Sequence, residues 1–159
     1  MNDPIFIVGN SRSGTTLVSR ILKKHPEIYI LNETHFMEEF KRYRENLYSI
    51  SKDDIWKLVN QMLTIQRKNY YRKLEYEEYP KDAKEIISVF QNRGQRDFAT
   101  LNKVFLEFKA KRHGKKWAGD QTPRHVFYIR ELIGWYPEAK FIQIIRNPCA
   151  ILLSQKKNG

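Results

Sequence analysis

"IFIVGNSRSGTTLVSRIL", residues 5–22, decides the fold. Ile5–Val8 form the continuous apolar run that a strand buried on both faces of a parallel sheet requires. Leu17, Val18, Ile21 and Leu22 then recur at helical spacing as far as His25-Pro26, where proline drives the preceding residue out of the α region. The loop between strand and helix offers successive backbone N–H groups and a helix N-terminus, which together suit an anion. Gly9 and Gly14 have the spacing of the Walker phosphate loop, and Thr16 stands where that motif has Ser or Thr. Position 15, where the motif requires the lysine that neutralises the β- and γ-phosphates, is Thr15. The loop's charge is instead Arg12, with hydroxyls on Ser13, Thr15 and Thr16. A bare strand-to-helix turn is the bland alternative, but a turn alone does not require that set.

Outward from this unit, "EIYIL" reads as a second strand that delivers Asn32 and Glu33 at its carboxyl end. Residues 37–115 read as mostly helical. Ile55, Leu58, Val59, Met62 and Leu63 mark one amphipathic face, and Phe98, Leu101, Phe105 and Phe108 another. The stretch "NYYRKLEYEEYPKD" between them has no period and reads as irregular. Trp117-Ala118-Gly119 leads into "DQTPRH" and a helix on Val126, Ile129, Ile133 and Tyr136. "AKFIQIIR" is the clearest strand, and "NPCAILLSQKK" opens a last helix with Pro148 near its first turn. Repeated strand–loop–helix units predict an α/β fold with a central parallel sheet and right-handed crossovers. Ligands then bind beyond the carboxyl ends of the strands, which selects the loops at 9–16, 32–35, 119–124 and 146–148.

At 159 residues the chain predicts a single domain, residues 1–159, with a helical insertion at about 37–115. A net charge of +11 favours polyanionic partners, and +9 of it falls in residues 81–159. The run "KAKRHGKK" (109–116) reads either as a solvated helix end, favourable beside the C-terminal dipole, or as a patch that guides substrate. One cysteine, Cys149, excludes an internal disulfide, and His25, His35, His113 and His125 show no metal-ligand spacing. No signal-like start and no 18-residue apolar run is present, so a cytoplasmic chain without a membrane span is expected.

Three stretches together resemble one family. "FIVGNSRSGTTLVSRIL" is similar to the 5′-phosphosulfate loop of sulfotransferases that use 3′-phosphoadenosine 5′-phosphosulfate (PAPS). "KFIQIIRNPCAILLS" resembles their 3′-phosphate motif, which places a strand-end arginine at Arg146 and a serine at Ser154. "WAGDQTPRH" resembles a third stretch of the bacterial and protein-tyrosine branches. The resemblance implies a P-loop-like three-layer α/β/α fold and in-line sulfuryl transfer from PAPS to a hydroxyl, with no metal. It implies that Ser13, Gly14, Thr15, Thr16 and Arg12 hold the 5′-phosphosulfate and that Arg146 and Ser154 hold the 3′-phosphate. Arg12 would also stabilise charge on the bridging oxygen. The acceptor would be a hydroxyl on a glycan, a peptide tyrosine or a small molecule, with no specific nucleic acid involved.

The acceptor loses a proton during attack, and Glu33 is the leading base, because "LNETHF" resembles the "GEET" segment of tyrosylprotein sulfotransferases. His35 is the runner-up, and a salt-bridge or capping carboxylate is the bland reading of Glu33. The chain departs from the family at Gln121, where related chains carry lysine in "DKTP". Compensation by Arg12 or Arg124 is one reading, and slower catalysis or another cation are the others. Resembling domains continue past the 3′-phosphate motif, whereas this chain stops at Gly159, which leaves a fragment, a truncated form and a degenerate member open. Two rivals remain at this point. A small-molecule kinase with a degenerate Walker loop would need a lysine and a Mg²⁺-holding acid, and a non-catalytic polyanion-binding module would rest on charge alone.

Overall fold

The computed structural model describes residues 2–43, 51–68, 76–94 and 97–156. Four strands, β1 (Ile5–Gly9), β2 (Ile28–Leu31), β3 (Trp117–Gln121) and β4 (Lys140–Ile144), form one parallel sheet in the order β2-β3-β1-β4. β1 is central. It pairs with β3 from Ile5↔Gly119 to Ile7↔Gln121 and with β4 from Ile5↔Lys140 to Gly9↔Ile144. Its alternation explains the uninterrupted apolar run: Phe6 and Val8 enter the larger core on one face, while Ile5 and Ile7 enter a smaller core on the other.

Helix α1 (Thr15–Leu22) covers the smaller core. The opposite face carries α2 (Phe36–Tyr43), α3 (Lys52–Lys68), α4 (Pro80–Asn92) and α5 (Phe98–Arg112), followed after β3 by a 3-10 helix (Pro123–Tyr128) and α6 (Ile129–Trp135). Helix α7 (Pro148–Lys156) follows β4. The chain is therefore an α/β fold with helices on both sides of a parallel sheet, and among the described residues α2 to α5 lie between β2 and β3, where a helical insertion was expected. Ile55, Leu58, Val59, Met62 and Leu63 are all buried on α3, and Phe98, Leu101, Phe105 and Phe108 on α5. The irregular stretch predicted at 69–82 lies outside the described residues over 69–75, and Pro80 opens α4 within it.

Three local readings need correction. On α1 only Val18 and Leu22 pack against the small core, while Leu17 and Ile21 are 62% and 59% exposed. At 3.6 residues per turn the four positions span roughly 140° of the helix, more than one sheet face can cover. After β3 the predicted face on Val126, Ile129, Ile133 and Tyr136 changes phase, because a 3-10 turn precedes α6. Tyr136 is buried and Val126 and Ile129 pack against the core as expected, but Ile133 is half exposed and Leu132 is buried in its place. Finally, Asp120 and Gln121, read as part of a loop, lie in β3 and are buried.

The basic run 109–116 is largely structural. Arg112 pairs with Asp82 at 2.9 Å and with Glu85, and its guanidinium lies 4.5 Å from the Phe108 ring centroid. Lys116 pairs with Glu27, and Lys115 donates to the carbonyls of Pro26 (2.8 Å) and His25. These contacts tie the end of α5 to the turn that starts β2, so the solvated-helix-end reading describes the run better than a substrate-guiding patch.

Gly119 sits where β1, β2 and β3 pass closest. A Cβ there would meet the Ile5 carbonyl oxygen at 2.6 Å and the Ile30 side chain. Backbone cannot yield as a flexible side chain can. Gly119→Ala is expected to destabilise the fold by about 1–3 kcal/mol, the usual cost of overpacking, read as a lower denaturation midpoint with an unchanged slope.

Candidate active site

At the carboxyl end of β1 the chain turns sharply before α1. Gly9 (φ 152°), Arg12 (φ 67°) and Gly14 (φ 110°) all have positive φ. Gly9 is required here, because a Cβ would meet the Ile144 carbonyl oxygen of β4 at 2.6 Å. Arg12 is not glycine, and its left-handed backbone is held from outside: Arg146 Nη1 donates to the Arg12 carbonyl at 3.0 Å. The Arg12 side chain reaches Ser154 Oγ through Nε at 3.3 Å. Two residues from the far end of the chain thus brace the loop.

Ser11, Arg12, Gly14, Thr15, Thr16, Glu33, Pro123, Arg146 and Ser154 line one cavity of about 410 Å³. Six of the seven residues assigned to the nucleotide from sequence, and Glu33 with them, therefore face the same space. The seventh, Ser13, is buried beneath the loop, and its Oγ has no hydrogen-bond partner among the described residues. Ser11 and Pro123 were missed, because neither type carries a chemical signature; only their place in strand-end loops could have flagged them. Gln121 is 3% exposed and its Nε2 lies 3.4 Å from Thr15 Oγ1, so it supports the loop from below. Arg124 does not line this cavity. Its Nε lies 3.4 Å from Glu38 Oε1.

The loop that carries Glu33 is fixed on several sides. Gln66 of α3 donates to the carbonyls of Asn32 (3.0 Å) and Glu33 (3.3 Å). Thr34 N–H donates to Thr122 Oγ1 at 2.9 Å, and the hydroxyls of Thr34 and Thr122 both donate to the Asp120 carboxylate. Burial pushes the Asp120 carboxyl upwards, and it opposes charge on the neighbouring His125, which it pushes down. His35 is also buried. Its Nε2 lies 3.0 Å from Glu33 Oε2, and its Nδ1 lies 3.8 Å from Glu38 Oε1, an ion-pair distance. Burial works against a charged ring, but the two carboxylates outweigh it and raise His35 to about 9. The salt-bridge reading of Glu33 thus holds as a description of its contacts, and the partner is the residue ranked second as base.

Among the described residues no group of three or more His, Cys, Asp or Glu is arranged to hold a metal ion, and no helix is long and apolar enough to cross a membrane. A loop of amides, hydroxyls and two guanidinium groups at the end of a central parallel strand, with one carboxylate opposite, defines an anion-handling α/β domain. The sulfotransferase family model matches residues 4–159, and the chain belongs to that family. It is also similar to nodulation protein NoeE of Sinorhizobium fredii, with 27% identity over 159 aligned residues, covering 95% of this chain. The match covers 30% of that relative's length.

The His35 pair makes stability depend on pH. The folded value of about 9 lies above the unfolded value of 6.5, so the stabilisation is complete below pH 6.5 and is lost as pH rises through 9. Chemical denaturation between pH 6 and 10 is expected to show this decline, and Glu33→Gln is expected to flatten it.

Proposed function

We propose that this chain is the nucleotide-binding and catalytic part of a PAPS-dependent sulfotransferase acting on a hydroxyl acceptor, folded as one domain over residues 1–159. The observation that carries the reading is the convergence of Arg12, Thr15, Thr16, Arg146 and Ser154 on one cavity with a single carboxylate, Glu33. The donor set fits the ligand. Hydroxyls and guanidinium groups match phosphate and sulfate oxygens, a buried Ser13 hydroxyl is unclaimed among the described residues, and 410 Å³ lies within the range of small-molecule sites.

PAPS supplies a sulfuryl group activated by attachment to a phosphate leaving group. The loop amides with Thr15 and Thr16 bind the 5′-phosphate, and Arg146 with Ser154 binds the 3′-phosphate. The Arg12 guanidinium offsets charge that develops beside the loop, an electrostatic task that needs no metal. The absence of the Walker lysine follows, because one phosphosulfate carries less charge than a triphosphate with Mg²⁺. Gln121, in place of the family's lysine, donates towards Thr15 and carries no charge. Arg124 is engaged with Glu38, so Arg12 is the compensating cation. Glu33 accepts the proton of the attacking hydroxyl.

Calorimetry separates the two phosphate sites. Arg146→Ala is expected to weaken 3′,5′-ADP by about 1.5–3 kcal/mol, the range for a charge-assisted hydrogen bond. It should weaken 5′-AMP by no more than about 1 kcal/mol, the share due to its hold on the Arg12 carbonyl. Arg12→Ala should weaken both ligands alike, and a chelator should change neither. Equal losses for Arg146→Ala would overturn the 3′-phosphate assignment, and strict Mg²⁺ dependence would favour a kinase.

Glu33→Gln keeps the size and hydrogen bonding of the side chain but cannot take up a proton. Release of 3′,5′-ADP from PAPS in the presence of a tyrosine peptide or an oligosaccharide is expected to slow by roughly 10²-fold or more, with 3′,5′-ADP affinity retained. Parallel losses of rate and affinity would make Glu33 a structural residue.

A further inference from the structure

A carboxylate facing a polyanionic nucleotide has an electrostatic problem. Its charge repels the ligand, and the ligand's charge in turn opposes the ionised form the base needs. Glu33 lines the cavity with the phosphate-binding loop, so it stands in that position. His35, two residues on, sits behind it. Its backbone has φ 52°, a left-handed conformation uncommon for a residue with a side chain. Its ring is 4% exposed, with Nε2 on Glu33 Oε2 and Nδ1 towards Glu38 Oε1 of the first turn of α2. Arg124 Nε approaches the same Glu38 oxygen from the 3-10 helix. Among the described residues, Asp120 of β3 and His125 of the 3-10 helix also belong to these surroundings. Asp120 is occupied by two threonine hydroxyls, and burial keeps His125 uncharged, which leaves the Glu33 and Glu38 carboxylates to hold the His35 ring.

We propose that His35 is the positioning residue of this site: its Nε2–H grips Glu33 Oε2, and its positive charge lets a carboxylate stand beside the nucleotide's phosphates. The grip assigns proton uptake to Glu33 Oε1. The charge makes the Glu33–His35 pair neutral overall, so the cavity keeps the positive potential of Arg12 and Arg146. The inference rests on the reading of Glu33 as the base and of the cavity as the nucleotide site.

It predicts an alkaline limb in nucleotide binding that needs no acceptor to observe. When His35 loses its proton the pair becomes anionic, and affinity for 3′,5′-ADP is expected to fall on the order of tenfold as pH passes through about 9. No lysine lines the cavity among the described residues, and its other cations are guanidinium groups. His35→Asn is the variant of choice, because asparagine tolerates left-handed φ. Isothermal titration with 3′,5′-ADP from pH 7 to 10 should show the step in the natural protein. His35→Asn should bind about tenfold more weakly at pH 7 and lack the step. Glu33→Gln, which removes one of the ring's two carboxylates, should move it to lower pH. A flat profile in the natural protein, or a step that persists in His35→Asn, would overturn the proposal.

Should His35→Asn not fold, ¹⁵N spectra of the histidine rings decide. One ring should titrate near 9 and shift down in Glu33→Gln, and the absence of any ring titrating above pH 8 is the overturning result. The base assignment fails separately. Full turnover in Glu33→Gln, with the step present in the natural protein and moved to lower pH in the variant, removes the base role and supports His35 as charge partner. An inactive Glu33→Gln in a protein without the step removes the role of His35 alone.

Discussion

A carboxylate with no exposed surface, Asp120, holds the site together. It lies where β3 is paired on both sides, opposite Phe6 of β1 and Leu31 of β2. Removing a carboxylate from water is costly unless its oxygens are taken up by donors. Here the donors are hydroxyls from two different loops, Thr34 after β2 and Thr122 after β3. Satisfying one buried charge therefore fixes the separation of the segment bearing Glu33 and the segment leading to Pro123. A backbone bond from Thr34 to Thr122 Oγ1 closes the ring, and Gln66 of the insertion clamps the outer side. Among the described residues the insertion thus reaches the site through Gln66 of α3 and Glu38 of α2, while its apolar residues pack on α3, α4 and α5.

On the other side of the cavity the order is reversed, and cations hold a strained loop. Arg12 has backbone geometry that favours glycine, and the Arg146 guanidinium on its carbonyl stabilises that geometry. The same side chain lines the cavity together with Ser154, which meets the Arg12 side chain. The residues proposed to hold the two ends of the nucleotide are thus in contact with each other, so the geometry of each end depends on the other.

The charge excess of the chain divides between two tasks. Much of it is spent on architecture: Arg112 on Asp82 and Glu85, Lys116 on Glu27, Lys103 on Asp3, Arg67 on Asp82. The cavity itself has two cations, Arg12 and Arg146. Net charge is thus a poor guide to the site, because exposed ion pairs absorb charge without creating a ligand surface.

Sequence by itself determined the α/β class, the central strand, the glycine loop and the strand-end position of Glu33. These follow from local signals: an apolar run buried on both faces, glycines at a turn with positive φ, and the rule that ligands meet the carboxyl ends of parallel strands. It also marked Arg146 and Ser154, through their resemblance to a known motif. What it could not supply was any relation between segments distant in the chain. The bond from Arg146 to Arg12 spans 134 positions, and that from Thr34 to Asp120 spans 86. His35 shows the difference most clearly. In sequence it is one histidine near a glutamate, and a rival for the same role. Only the left-handed turn after β2, and the packing of α2 that brings up Glu38, convert it from a competitor of Glu33 into its partner. Left-handed geometry at a non-glycine residue is imposed by surrounding contacts, not by residue preference, so tertiary structure alone could decide it.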